Sequence, residues 1–327
     1  MRQELLNFHD QFYSSNVSQL VVLGKQPLNE LQTMVDTCFA LLCNKNLSAP
    51  NLDCDPRPYT HSELLKRVCA VPVNDLMRVI EITFPMREIN SLYLSKPTRY
   101  ISHLIGHEGK GSILAFLKSK GWANELSAGE NHSCSNWAAF TISVEVTDEG
   151  LECADQVVEV VMAYINLLKK TGPQKWIHEE TATVASCQFQ FLSKRPPIDY
   201  TSTLASSMHL YPPEHVLSGR YKIYEYDPEA IEECMSYLNP SNCLIMIFDK
   251  NNEGHTTMEE KWYGTKYSVE QIGQELIDQW LVANVDSDLI LPEPNELIAT
   301  DFSLLEDSGE PKDYPRLWID TDVCQLW

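Results

Sequence analysis

The most informative part of the sequence runs from Tyr100 to Glu130 and reads YISHLIGHEGKGSILAFLKSKGWANELSAGE. Residues 100–108 carry apolar side chains at helical spacing, and Gly109 and Gly111 follow them. Glycine is unfavourable inside a helix because its backbone loses more freedom than that of any other residue. The pattern therefore predicts a helix that ends at this pair of glycines.

A second helix and an extended segment follow. Ser112 is a typical N-cap for a helix from Ser112 to Lys120, and Gly121 stands where helices often end. Residues 122–130 are rich in small side chains with polar flanks, which indicates a short strand. We expect this strand at a sheet edge, where free main-chain groups can pair with a peptide.

The same periodicity arguments divide the rest of the chain into elements. Residues 137–146 alternate apolar and polar side chains and predict a half-buried strand. Strands among several long helices indicate an α+β fold with a mixed or antiparallel sheet and helices packed on one face. The other strands are expected at 19–23, 65–73, 76–84 and 243–248, and the other helices at 2–13, 27–42, 147–170, 174–191, 200–210 and 228–238.

Two segments lack periodicity and are candidate boundaries. Residues 48–58 are rich in proline, which is typical of a linker between domains. From about residue 283 the helical pattern fades. Residues 285–323 hold eleven acidic side chains against two basic ones, so we expect an acidic linker there.

The charge balance restricts the classes of partner. The formal net charge is −21, which argues against nucleic acid and against an anionic membrane. It favours cationic ligands such as basic peptides. The alternative explanation is a solvated acidic surface that keeps the protein in solution.

Cysteine usage indicates the compartment. The ten cysteines include no Cys-x-x-Cys pair, and several lie in apolar runs, so they are expected to be reduced thiols. No apolar run approaches the roughly 20 residues that cross a bilayer, and the first residues contain no apolar signal-peptide region. We therefore expect a cytoplasmic protein.

Several motifs resemble those of a known family. The runs HLIGHEGKGS at 103–112 and KSKGW at 118–122 resemble the second domain of pitrilysin-type zinc metallopeptidases, the family of insulin-degrading enzyme and nardilysin. EKWYGTKY at 260–267 and IATDF at 298–302 continue the resemblance in the same order. Some motifs are closer to nardilysin and others to insulin-degrading enzyme, and that choice stays open. The resemblance implies a pitrilysin-like domain.

In this family the second domain provides an exosite, a surface away from the zinc that anchors the N-terminal part of the substrate by strand addition. Ala128 departs from the family, which usually has a glycine there, and its extra bulk is expected to narrow the groove. The alternative is that Gly129 permits a bulge and Glu130 is a surface charge. The matching exosite positions are His103, Gly106, Glu108, Leu126, Ser127, Ala128, Gly129 and Glu130.

The resemblance also implies a zinc site that this sequence lacks. The family binds zinc through His-x-x-Glu-His, and none of the nine histidines belongs to such a motif. His103 and His107 are four residues apart, but no third ligand is evident, so we expect structural or substrate-contacting histidines. The parent enzyme would use zinc to hydrolyse small, often basic peptides. We expect this chain to bind no metal, to hold no catalytic residue and not to hydrolyse peptides alone.

The resemblance implies three parts of the chain. Residues 1–52 would be the end of the first, catalytic domain, residues 53–282 a complete substrate-binding second domain, and residues 283–327 a linker towards a missing second half. Expected partners are extended peptides and the remaining domains of the parent peptidase, and a homodimer is an open alternative. A competing interpretation is a truncated, non-enzymatic peptide-binding or regulatory partner of the full-length enzyme. A partial gene model is a third, and the sequence does not separate these two.

Overall fold

The computed structural model describes residues 1–60, 62–74, 76–284, 288–303 and 315–327. It divides into two compact units, Met1–Pro294 and Asn295–Trp327. The strands of the first unit are β1 (Lys66–Ala70), β2 (Val79–Met86), β3 (Ala123–Ser133), β4 (Ala138–Val146), β5 (Leu244–Phe248), β6 (Met258–Glu259) and β7 (Lys266–Gln271). Its helices are α1 (Arg2–Phe12), α2 (Leu28–Phe39), α3 (Pro97–Ile105), α4 (Ile113–Ser119), α5 (Asp148–Glu152), α6 (Ala154–Thr171), α7 (Lys175–Gln190), α8 (Pro197–Ser207), α9 (Pro228–Tyr237) and α10 (Gln274–Leu281).

One mixed sheet organises the first unit. Its strand order is β3-β4-β2-β5-β1-β7-β6. β1 and β5 are parallel, and the other neighbours are antiparallel. β3 and β6 therefore lie at the two edges. The α+β fold with a mixed sheet is confirmed.

The two faces of the sheet differ in polarity. Ile80, Ile82 and Phe84 are fully buried on β2, and they belong to one core cluster with Val157 and Val161 of α6. Helices therefore cover this face, and burial of such side chains is the main favourable contribution to folding. The alternate side chains of β2 and β4 that face away from the helices include Glu81, Thr83, Thr141 and Ser143.

Local sequence signals set several element ends. The Ser112 hydroxyl accepts a hydrogen bond from the Ala115 amide at 3.1 Å and caps α4. Gly121 follows α4 with φ +74°, a left-handed conformation that glycine adopts without penalty. These two predictions are confirmed, and so is the edge position of the strand that starts near Trp122.

Three predicted elements differ from the structure. Residues 19–23 form no strand, because no described neighbour pairs with them. The expected helix over 147–170 is interrupted at Cys153 and becomes α5 and α6. β4 is buried along nearly its whole length rather than on one face. On the side away from the helices, the hydroxyl groups of Thr141 and Thr83 are hydrogen-bonded to each other. β6, β7 and α10 were not predicted.

The N-terminal helices make few buried contacts. Neither α1 nor α2 contains a buried residue. Leu5 and Leu28 are 66% and 85% exposed although both are large and apolar. This part of the chain therefore presents unusual amounts of apolar surface to solvent.

The second unit contains one short hairpin. β8 (Ile319–Asp320) pairs with β9 (Gln325–Leu326) in antiparallel orientation. The composition of this segment had indicated only a linker, because two-residue strands leave no periodic signal. Within the described residues, no helix of either unit has the length and apolarity needed to cross a membrane.

Candidate functional site

The candidate site is built on β3, the long edge strand of the sheet. Of the described residues, only β4 pairs with β3. Leu126 is buried and packs into the core, whereas Ser127 and Glu130 are exposed and Ala128 and Gly129 are partly exposed. The outer side of this strand consequently keeps main-chain donors and acceptors for a further strand.

Helix α3 ends beside this strand. A Cβ at Gly129 would lie 3.6 Å from the Ser102 hydroxyl oxygen, and a Cβ at Gly106 would lie 4.0 Å from the Ala128 amide nitrogen. The turn after α3 and residues 128–129 are therefore close together. Two segments separated in sequence, with Gly106 on one and Ala128 on the other, border the same surface.

The loop after α3 is held in place by a distant segment. The Ile290 amide donates a hydrogen bond to the Gly111 carbonyl at 3.0 Å. Gly111 has φ +83°, and a Cβ there would lie 2.2 Å from Ile290 Cγ1. Glycine is thus required at 111 both for the backbone conformation and for the close approach. This contact fixes the loop that carries Glu108, whose side chain is exposed.

Two cavities adjoin Glu130. One of about 360 Å³ is lined by residues 127–131 together with Glu81, Thr141 and Ser143 of the neighbouring strands. The other, of about 320 Å³, is lined by Glu130, Ser102 and Tyr211 among others. Both cavities are thus bordered by the edge strand at Glu130.

The ionisable groups of the site are perturbed mainly by their surroundings. Burial raises the pKa of Glu81 above the ordinary value of a glutamate. The pKa of Glu130 is raised as well, because its carboxyl is partly desolvated although the residue as a whole is exposed. Burial of part of the His103 ring, and then the neighbouring His107, lower the pKa of His103. His103 is therefore expected to be neutral near pH 7, as a hydrogen-bonding rather than a charged group.

Not every predicted site residue exposes its side chain, and some lining residues were not predicted. Leu126 can contribute only its backbone, because its side chain is buried. Ala128 lies opposite Ile142, and its methyl group packs against the core rather than into the groove. Glu81 was missed because it comes from β2, two strands away from β3. The sequence did contain a signal for the other lining residues, because Thr141 and Ser143 alternate with apolar residues along β4 and so lie on its polar face.

The residues present do not fit a zinc ion. Among the described residues, no group of three His, Cys, Asp or Glu side chains is arranged to hold a metal. His103 and His107 have ring centroids 6.2 Å apart, and the sequence offers no His-x-x-Glu-His motif. The described residues therefore offer no site for metal-dependent chemistry.

Comparison with protein families covers nearly the whole chain. Residues 1–184 match the family model described as the peptidase M16 inactive domain, and residues 189–327 match the middle or third domain of peptidase M16. The two matches meet inside α7. The limits predicted from the sequence at residues 52 and 282 remain predictions.

Individual relatives agree with these matches. Human insulin-degrading enzyme (Homo sapiens) is 38% identical over 327 residues, which are all of this chain and 32% of that protein. Nardilysin of Rattus norvegicus is 34% identical over 329 residues, 99% of this chain and 28% of its own length. The crystal structure of pitrilysin superposes with a TM-score of 0.87 at 28% identity, covering 99% of this chain and 34% of that one. The chain spans about a third of the length of the relatives it matches.

Proposed function

The chain belongs to the peptidase M16 family, and we propose that it anchors the N-terminal part of an extended peptide at β3 within a larger peptidase of this family. The free main chain of β3 at the sheet edge carries this proposal. A peptide strand placed there would gain ladder hydrogen bonds without depending on its sequence. Side chains alternating along the peptide would then reach the two cavities beside Glu130.

The charge of the site favours peptides with a free α-amino group or with basic side chains near the N-terminus. Glu130 borders both cavities beside β3, and Glu108 is exposed on the loop after α3. A carboxylate at the peptide path can accept a charge-assisted hydrogen bond from an α-amino group. The net charge of −21 would attract such peptides from a distance. The proposed site residues are His103, Gly106, Glu108, Leu126, Ser127, Ala128, Gly129 and Glu130.

We assign peptide hydrolysis to parts of the parent peptidase outside this chain. A zinc ion there would activate water for attack on the peptide bond. The chain alone is expected not to cleave peptides, because its described residues do not fit zinc and its sequence contains no His-x-x-Glu-His motif. Chelator-sensitive cleavage of a dibasic peptide by the purified 327-residue protein would contradict this assignment. Ten free thiols are consistent with the proposed cytoplasmic location.

N-methylated peptides test strand addition without altering the protein. Methyl groups on alternate backbone nitrogens of a bound peptide remove the donors that face β3. Methyl groups on the intervening nitrogens leave those donors intact, so this second peptide is a matched control of equal composition. We expect the peptide that lacks the donors facing β3 to bind at least about tenfold more weakly, and the control peptide to bind with little change. Equal affinities, measured by fluorescence anisotropy, would exclude strand addition.

A second candidate function is that of a non-enzymatic partner of a full-length peptidase. The exposed apolar residues of α1 and α2 favour it, because such surface is usually covered by another protein surface. This covering surface would be provided by the remaining domains of a parent peptidase or by a second copy of the chain. Sedimentation of the chain alone and with a full-length relative would distinguish a monomer, a homodimer and a mixed complex.

A further inference from the structure

Two cysteines that are 80 residues apart in sequence meet at the end of the β3–β4 hairpin. The sulfur of Cys54 lies 3.5 Å from the sulfur of Cys134. Both side chains are partly exposed. Among the described residues, no other cysteine side chain is hydrogen-bonded to a second one, although all ten cysteines are described.

Neighbouring contacts hold the two thiols together. The Asn136 side chain accepts a hydrogen bond from the Cys54 amide at 3.2 Å and donates one to the Cys54 carbonyl at 3.1 Å. The Ser135 hydroxyl donates to the Asp53 carboxylate at 2.7 Å. Cys134 itself is fixed in the hairpin turn, because its amide donates to the Trp137 carbonyl at 2.8 Å. The linker is thus bound to this turn through two consecutive residues, Asp53 and Cys54.

We propose that Cys54 and Cys134 form a reversible oxidation site that closes to a disulfide on reaction with a hydroperoxide. The sulfurs need to approach by about 1.5 Å to reach bonding distance. Rotation of two partly exposed side chains supplies such a movement without displacing the docked backbone. The bond would tie the linker to the residue that directly follows β3.

The chemistry balances with the hydroperoxide as oxidant. The contact with Cys54 raises the pKa of the Cys134 thiol, and in the proposed sequence Cys54 reacts first. The Cys54 thiolate attacks the O–O bond and becomes a sulfenic acid, while the peroxide leaves as an alcohol. The Cys134 thiolate then attacks the Cys54 sulfur and displaces hydroxide, which leaves as water after taking up a proton. Two thiols and one hydroperoxide give one disulfide, one alcohol and one water.

Peptide mapping of the full 327-residue chain tests the proposal. Reduced protein is treated with hydrogen peroxide, alkylated and digested with trypsin without reduction. We expect residues 46–66 to be linked to residues 121–169, and the link to form at least about tenfold faster than oxidation of Cys187, a partly exposed thiol with no thiol partner. Dithiothreitol should restore both thiols.

Matched variants identify the partners. Cys134→Ser should abolish the link and leave a sulfenic acid on Cys54 that dimedone labels. Cys153→Ser, which removes the other thiol of the same tryptic peptide, should leave the link intact. Asn136→Ala keeps both thiols but loosens Cys54, so it should slow closure several-fold. A link that survives Cys134→Ser, a link from Cys54 to another cysteine, or an unchanged rate in Asn136→Ala would overturn the proposal.

Discussion

The two edges of the same sheet are built differently. β6, at one edge, has two residues and pairs with β7 over two positions. β3, at the other edge, has eleven residues and contains neither lysine nor proline, the side chains that often protect edge strands. Short strands blunt an edge. β3 has register shifts against β4 at residues 123–125 and 130–132, but between them it pairs in continuous register from Glu125 to Glu130. Of these two edges, β3 is therefore the one suited to receive a partner strand.

The largest effect is expected from Gly111, which holds the loop beside the β3 edge. Gly111→Ala should lower the free energy of unfolding by about 2–4 kcal/mol, because the new Cβ would meet Ile290 in a left-handed conformation. Gly254→Ala is the control near the β6 edge, since Gly254 has φ +86° but no atom within 4 Å of the added Cβ. It should cost about 1 kcal/mol. Urea denaturation measures both, and equal losses would contradict the close contact.

Peptide affinity should depend on Glu130. Glu130→Gln is expected to weaken binding of a peptide with a free α-amino group about fivefold, and to leave its N-acetylated form unaffected. Glu125→Gln is the control, because Glu125 is an exposed glutamate of the same strand. Titration calorimetry with both peptides provides the measurement. Equal losses for the two peptides would show that Glu130 does not contact the amine.

Affinity for the free-amine peptide should also depend on pH. Burial raises the pKa of Glu130, so its carboxylate becomes protonated at a pH above the ordinary glutamate range as the solution is acidified. Binding should therefore weaken with falling pH earlier than expected for an exposed glutamate. Anisotropy titrations of the wild type and of Glu130→Gln test this, and the variant should lack that transition.

A smaller effect is expected at Ala128. Ala128→Gly should lower the free energy of unfolding by about 0.5–1 kcal/mol, because glycine gains freedom in the unfolded chain and a methyl group leaves the core. Peptide affinity should stay within about twofold, since the methyl group faces the core rather than the groove. A large gain in affinity would instead support the expectation from sequence that this side chain narrows the groove.

The smallest effect is expected at the short edge. Met258→Glu places a charge on β6, where the side chain is already 40% exposed. The free energy of unfolding should change by less than about 0.5 kcal/mol, as for most surface substitutions. Peptide affinity should not change. A marked loss of peptide binding would mean that the β6 edge, and not β3, receives the peptide.

Local signals in the sequence predicted much of this structure. The N-cap at Ser112, the stop at Gly121 and the small-residue strand after Trp122 depend on neighbours along the chain, and the structure has each of them. The strand expected at 19–23 failed because a strand also needs a partner, which no local pattern reveals.

The rest of the site depends on contacts distant in sequence. Glu81 reaches the cavity beside β3 only because β2 and β3 flank β4 in the sheet order. Ile290 fixes Gly111 across 179 positions of sequence. The pairing of Cys54 with Cys134 likewise follows from the docking of the linker on the hairpin. Periodicity within one segment carries no information on such contacts between residues distant in sequence.

Hydrogen exchange on β3 shows whether a peptide adds to this edge of the sheet. The backbone amides of the chain would be followed by mass spectrometry or NMR with and without a saturating free-amine peptide. We expect the alternate amides of residues 126–130 that face away from β4 to gain protection on binding, while the amides of β6 keep their exchange rates. Protection at β6, or binding that leaves the β3 amides unchanged, would contradict this expectation.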